Sequence, residues 1–296
     1  MARGFKMGAS GESGAKVYVD GVKTNAKEVR IKNGDTVSTL PYNFYFGSAV
    51  VYNNEIYILG GGDNRTGFYK FNPTTVTWTR VSTLYYNFYA GSAVVYNNEI
   101  HFLGGSGGNG TQTEHLKYRP STGQWYTVST LPYYFYGGSA VVYNNEIHIL
   151  GSSGYGYDTR HYKWNGTTWT SVSTLPYNFY AGSAVVYNNE LHILGRTSHY
   201  KWNGSTWTSV STLPYSFYGG SAVVLNNEIH ILGGMGNETS HYKWDGTTWT
   251  NVSTLPYNFY AGSAVVYNNE IHILGSKVSN GTEHYKNLIR IVESIT

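Results

Sequence analysis

Histidine returns at two fixed places along this chain, at His101, His148, His192, His230 and His272, and again at His115, His161, His199, His241 and His284. Recurring imidazoles could ligate a metal or move protons, provided that they converge on one ion at about 2 Å. Equivalent histidines here fall in successive copies of a repeat, and alternation along an extended segment turns them toward neighbouring copies rather than toward one centre. The expectation is packing, with no metal and no other cofactor. Glu55, Glu99, Glu146, Glu190, Glu228 and Glu270 each open an apolar run, and Lys70, Lys117, Lys163, Lys201, Lys243 and Lys286 occupy the run that follows. Opposite charges on adjacent strands read as cross-strand pairs. Catalysis needs an asymmetry that equal copies do not provide.

A second set of acids, Asp63, Glu114, Asp158, Glu238 and Glu283, falls in segments that vary between copies. Two carboxyls roughly 5 to 9.5 Å apart could cleave a glycoside, but no pair stands out. A Ser-His-Asp order, a phosphate loop and a dinucleotide fingerprint are all missing. The chain has no cysteine, which excludes disulfides, thiolate metal sites and a cysteine nucleophile.

The most regular pattern is aromatic. Tyr42, Phe44 and Tyr45 recur as Tyr86, Phe88, Tyr89, as Tyr133 to Tyr136, as Tyr177, Phe179, Tyr180, as Tyr215, Phe217, Tyr218, and as Tyr257, Phe259, Tyr260. Rings beside acids and amides suit a carbohydrate, whose C–H faces stack while its hydroxyls form hydrogen bonds. Tyr45, Tyr89, Tyr136, Tyr180, Tyr218 and Tyr260, with Asp63, Glu114, Asp158 and Glu238, are therefore the candidate ligand-binding residues. The competing expectation makes each Phe core and ties many tyrosine hydroxyls to backbone.

These residues are positioned by a repeat. Gly-Ser-Ala-Val-Val begins at Gly47, Gly91, Gly138, Gly182, Gly220 and Gly262, with spacings of 44, 47, 44, 38 and 42 residues. Such a period marks a solenoid or a propeller. Within the copy at Gly182, Val185 and Val186 end a first strand, Asn188-Asn189 turns, and residues 191–194 form a second strand. Residues 199–202 form a third, Asn203-Gly204 turns again, and residues 206–210 form a fourth carrying Trp207. Four short antiparallel strands make one propeller blade.

After the second strand come Gly60-Gly61, Gly104-Gly105 and Gly233-Gly234; later come Phe71-Asn72-Pro73 with Trp78, and Tyr118-Arg119-Pro120 with Trp125. In these the chain resembles the Kelch family of β-propellers, over about residues 37 to 286. The double glycine is lost at Gly151, Gly195 and Gly275, and many Kelch repeats have Arg where this chain has Tyr45 and its equivalents. The resemblance implies an all-β, six-bladed propeller, and it leaves the chemistry open, since such propellers serve as enzymes, adaptors and binding modules.

In a four-stranded meander, the 1–2 and 3–4 turns share one face and the 2–3 and 4–1 connections share the other. The second face receives both the aromatic clusters and the variable acid-bearing loops, and each cluster leads into an innermost strand at the channel mouth. Variable loops over a rigid scaffold are where specificity resides.

The division expected is a tail at residues 1–14, a hairpin with a closure strand at 15–36, and the propeller at 37–296. Strands are expected at 16–20 and 28–32. Residues 28–37 are expected to close the last blade, with 289–295 as the alternative. The segment Val17-Tyr18-Val19-Asp20-Gly21-Val22-Lys23 resembles short stretches of tailed-bacteriophage structural proteins. Charged residues make up 12% of the chain, well below the usual quarter, and the net charge is +3 with no basic run, which argues against nucleic acid. No apolar stretch is long enough to span a bilayer and no secretory signal is evident.

The reading is a non-enzymatic recognition protein of a virion surface, with a cytoplasmic setting as the alternative. It would bind a glycan or cell-surface receptor, and residues 15–36 would meet other virion proteins. A protein–protein scaffold and a glycan-cleaving enzyme are the alternatives.

Overall fold

The computed structural model describes residues 17–19, 22–24, 34–105, 113–152, 159–279 and 281–286. Among these, every regular element is a strand. The first blade comprises Ser48–Tyr52, Glu55–Leu59, Gly67–Asn72 and Thr77–Thr83, paired antiparallel in chain order. The innermost strands of the next five blades are Ser92–Tyr96, Ser139–Tyr143, Ser183–Tyr187, Ser221–Leu225 and Ser263–Tyr267. Each innermost strand neighbours the next, and the sixth returns to the first, so the six sheets close into a wheel.

The sixth blade borrows its outer strand from the other end of the chain. Asp35–Thr39 pairs antiparallel with Glu283–Lys286, in the register Asp35 to Lys286 and Thr39 to Glu283. The closing strand thus lies on the N-terminal side as expected, but it is 35–39 rather than 28–37. The expected hairpin also differs: Val17–Val19 pairs antiparallel with Val22–Thr24. Strand 28–32, the tail at 1–14 and the alternative closing strand at 289–295 lie outside the described residues.

Local chemistry explains the blades. Both asparagines of every 1–2 turn adopt left-handed backbone, as at Asn53 (φ 46°) and Asn54 (φ 59°), the conformation that matches strand twist in a two-residue hairpin and that Asn tolerates. In the 3–4 turns the side chain acts instead: Asn165 Oδ1 accepts the backbone N–H groups of Thr167 and Thr168, both at 2.9 Å. The fourth blade departs from the expected four segments. Its second and third strands run together as Glu190–Trp202, and its last strand extends over Trp207–Phe217. The shortest 2–3 connection, residues 195–198, leaves no loop to separate them.

The core lies between blades. Leu59 and Phe68 of the first blade pack with Phe88, Ile100 and Phe102 of the next, all fully buried. The histidines join this seam, with a correction to the sequence expectation: the two series pair inside each blade before they meet the neighbour. His148 Nδ1 lies 2.7 Å from His161 Nε2, and His161 Nδ1 lies 3.1 Å from Ser173 Oγ. Trp207 of the next blade donates its Nε1–H to that same Ser173 oxygen at 3.0 Å. The second-strand and third-strand histidines pair in the same way at 101/115, 192/199, 230/241 and 272/284. The pairing leaves no third ligand, and no cluster of three potential metal ligands occurs among the described residues.

The Glu–Lys pairs form as the alternating charges predict, between second and third strands at 2.7 to 2.9 Å in every blade. No helix of the described residues is long and apolar enough to cross a membrane.

Candidate functional site

The mouth of the channel is built on a ring of backbone hydrogen bonds. Phe46, Ala90, Gly137, Ala181, Gly219 and Ala261 each stand just before an innermost strand with left-handed backbone, φ between 51° and 67°. The N–H of each donates to the carbonyl of its equivalent in the preceding blade, at 2.6 to 2.7 Å, and Phe46 closes the circle by donating to Ala261. A non-glycine residue in this conformation costs about 1 to 2 kcal/mol, and the closed ring of bonds holds four such residues in place.

A second ring lies two residues deeper. Ser48, Ser92, Ser139, Ser183, Ser221 and Ser263 each accept, through Oγ, the backbone N–H of the alanine that follows the serine in the next blade, at 3.1 to 3.2 Å. Each innermost strand therefore has one N–H, that of its alanine, satisfied by the neighbouring blade, and each serine keeps its own O–H to donate. Six such hydroxyls form a collar below the mouth.

The aromatic triplets divide between core and site. Phe44, Phe88, Phe135, Phe179, Phe217 and Phe259 are buried to 1% exposure or less. The first tyrosine of each triplet is structural: Tyr42, Tyr86, Tyr133, Tyr215 and Tyr257 donate their hydroxyls to the carbonyls of Gly60, Gly104, Gly151, Gly233 and Gly275. Those glycines have left-handed backbone and abut the next blade, where a Cβ on Gly60 would lie 2.2 Å from the Phe88 carbonyl. In the fourth blade Gly195 does not adopt that conformation, and the Tyr177 hydroxyl is buried without a partner among the described residues.

The last tyrosine of each triplet is the candidate site residue, and the structure brings all six together at the mouth. Tyr45, Tyr89, Tyr136, Tyr180, Tyr218 and Tyr260 are half-buried. Tyr45 meets Tyr89 at 6.3 Å, Tyr89 stacks on Tyr136 at 6.5 Å, and Tyr180 meets Tyr218 at 5.7 Å between ring centroids. Burial, reinforced by neighbouring tyrosines, raises Tyr89 to about 12 and also raises Tyr136, Tyr218 and Tyr260. At neutral pH these four are neutral and keep their hydroxyl protons.

The candidate acids are less united. Asp63 is exposed on the first 2–3 loop, where it accepts a hydrogen bond from Asn43 Nδ2 at 2.5 Å. Glu238 is turned back to accept the N–H of Gly236 at 2.9 Å. Glu114 and Glu283 do not sit on loop tips; each opens a third strand, beneath the mouth and near Tyr86 and Tyr257 respectively. Asp158 lies outside the described residues.

Sequence reasoning missed Phe46, Arg65 and Lys277. The Arg65 guanidinium lies 4.6 Å from the Tyr89 ring centre and the Lys277 ammonium 5.3 Å from that of Phe46. The signal for Phe46 was present, since it is the one large side chain at a position otherwise filled by Ala or Gly. The same face carries exposed Tyr85 (76%), Met235 (60%), Val278 and Tyr134. Rings, amides, hydroxyls and cations converging on a rigid circular frame can stack on and hydrogen-bond a polar ligand.

Comparison with known proteins agrees with this architecture. The Kelch motif model matches residues 44–84, which span the first blade. No curated protein matches the chain. A solved structure described as "Structure of YjhT" superimposes with a TM-score of 0.73 and 16% identity, over 84% of this chain and 95% of that one. At that identity the likeness is one of fold. The architecture is a six-bladed propeller whose first blade matches the Kelch motif, and the chemistry must be argued from the mouth itself.

Proposed function

We propose that this protein is a non-enzymatic recognition module that binds a glycan at the tyrosine-lined mouth. The single observation that supports this most is the gathering of the six equivalent tyrosines, half-buried and mutually packed, around one opening. Packed rings lose little conformational freedom on binding, so stacking against a sugar is opposed by little entropy. The hydroxyls of the serine collar and the amides of the 4–1 connections supply orientation.

The enzyme alternative finds less support in the acids. Asp63 and Glu238 are engaged by different local donors on separate blades, whereas glycoside hydrolysis needs two carboxyls working together about 5 to 9.5 Å apart.

The residue pattern around Val17–Val19 supports placing the module on a virus particle, with the N-terminal segment as the attachment to other particle proteins. A scaffold role facing a protein partner is the second reading, favoured by the exposed Tyr85 and Met235 on the same face.

A glycan array tests the main reading. Retention of a defined glycan set that is lost in Tyr180→Ala and Tyr260→Ala is the expected result. Retention unchanged in both variants would remove the mouth from the account, and co-purification of one specific protein with no glycan bound would favour the scaffold.

A further inference from the structure

The repeat that builds the mouth is broken at one place, and cations gather there. Phe46 occupies the ring position held elsewhere by Ala or Gly. Its side chain packs 5.1 Å from Tyr89 and 6.1 Å from Tyr260, so three rings, at the entries to the first, second and sixth blades, form one cluster. Exposed Arg65 comes from the 2–3 loop of the first blade and lies over Tyr89; exposed Lys277 comes from that of the sixth and lies over Phe46. The two loops thus place positive charges on adjoining faces of one aromatic cluster. Arg65 also acts electrostatically on Tyr136, the next ring round the mouth.

The rest of the molecule sharpens the contrast. Every third-strand lysine is neutralised by a glutamate at 2.7 to 2.9 Å. Among the described residues neither Arg65 nor Lys277 has a carboxylate within ion-pair distance. Nearby Asp63 instead takes its hydrogen bond from Asn43. A guanidinium stacked on a ring still presents its in-plane N–H donors at the edge, in the geometry that receives carboxylate or sulfate. Below the cluster, the serine collar offers further O–H donors.

We infer that the ligand is an anionic saccharide, whose carboxylate or sulfate is held between Arg65 and Lys277 while a sugar ring stacks on Phe46 and Tyr89. This rests on the glycan reading and narrows it to one chemical class and one side of the mouth.

The experiment presents the whole protein with matched pairs of immobilised oligosaccharides, each pair differing only in a terminal uronate or sulfate. The acidic member is expected to bind about tenfold more tightly at low salt and to lose that advantage at high salt. Arg65→Gln and Lys277→Gln are expected to abolish the preference with the melting temperature unchanged, and Arg65→Lys to restore part of it. Equal binding of both members, or preference for the neutral one, overturns the anionic assignment while leaving a glycan-binding mouth intact. Retention of no oligosaccharide at all overturns both.

Discussion

Tyr180 lies so closely over Gly137 that a Cβ on the glycine would stand 2.2 Å from Cε2 of the tyrosine ring. The same relation holds between Gly219 and Tyr260, at 2.5 Å. At the other ring positions Ala or Phe fills this space, so the glycines set the height of two of the six mouth tyrosines.

Gly137→Ala is therefore a probe of the site rather than of the fold. Ala already adopts this backbone at Ala90, Ala181 and Ala261, so the ring of hydrogen bonds survives at a cost of about 1 kcal/mol. Tyr180 must swing away from its seat. Ligand retention is expected to fall while the melting temperature shifts by only a few degrees. The reverse change, Ala181→Gly, is expected to leave both within error, since relief of left-handed strain offsets the added chain entropy.

The seam between blades makes a prediction about single hydroxyls. Ser173 serves both His161 and Trp207, whereas Ser82 serves Trp125 opposite Phe68, which replaces the histidine. Ser173→Ala leaves two partly buried polar groups without a partner and Ser82→Ala leaves one. At about 1 to 3 kcal/mol for each buried group, urea denaturation should show the first variant to be clearly the less stable. Equal losses would contradict the shared hydrogen bond.

Acid stability follows from the histidine pairs. Burial lowers His148 and His272 to about 4, and their partners His161 and His284 lower still, with the adjacent imidazole adding to the shift. In the unfolded chain histidine titrates near 6.5. Between pH 6.5 and about 4 the unfolded state therefore binds more protons, and stability falls as pH falls through that window. The paired change His272→Tyr with His284→Phe, which copies Tyr57 and Phe68 of the first blade, should flatten the dependence of melting temperature on pH. An unchanged slope would show that these histidines do not control it.

The Glu–Lys pairs should matter unequally. Glu146 and Lys163 keep 23% and 38% exposure, where an ion pair contributes about 0 to 1 kcal/mol. Glu99 is 11% exposed and meets both Lys117 and Arg119; burial pushes its carboxyl up, but the two hydrogen-bonded cations outweigh this and hold it below its ordinary range. Glu99→Gln is expected to cost more than Glu146→Gln in a chemical denaturation series, and its contribution is lost as pH drops below the carboxylate range. Equal costs would show that the second cation adds nothing.

Much of this architecture can be read from residues alone because the repeat writes the same physics six times: Asn-Asn for left-handed turns, Phe for the seam, Glu opposite Lys. What escapes depends on register or on a departure from the repeat. His148 and His161 meet diagonally, through a pairing offset that residue order does not state. The backbone ring at the mouth is invisible where Ala90, Ala181 and Ala261 adopt a conformation that only Gly137 and Gly219 advertise. The merging of strands in Glu190–Trp202 follows from a loop too short to turn outward. Of the candidate site, the tyrosines were legible as a recurring series. Arg65 and Lys277 were not, since neither recurs: the equivalent loop of the fifth blade carries Glu238 in the place of Arg65 and Met235 in the place of Lys277.

Hydroxyl-radical footprinting of the protein with its best array ligand tests the central claim most directly, because it reads the position of the ligand residue by residue. Strong protection of Tyr89, Tyr180, Tyr218 and Tyr260, with Tyr126 on an outer strand unchanged, is the expected pattern. Protection confined to the Asn-Asn turn face or to outer strands, with the mouth tyrosines labelled as in the free protein, would contradict it.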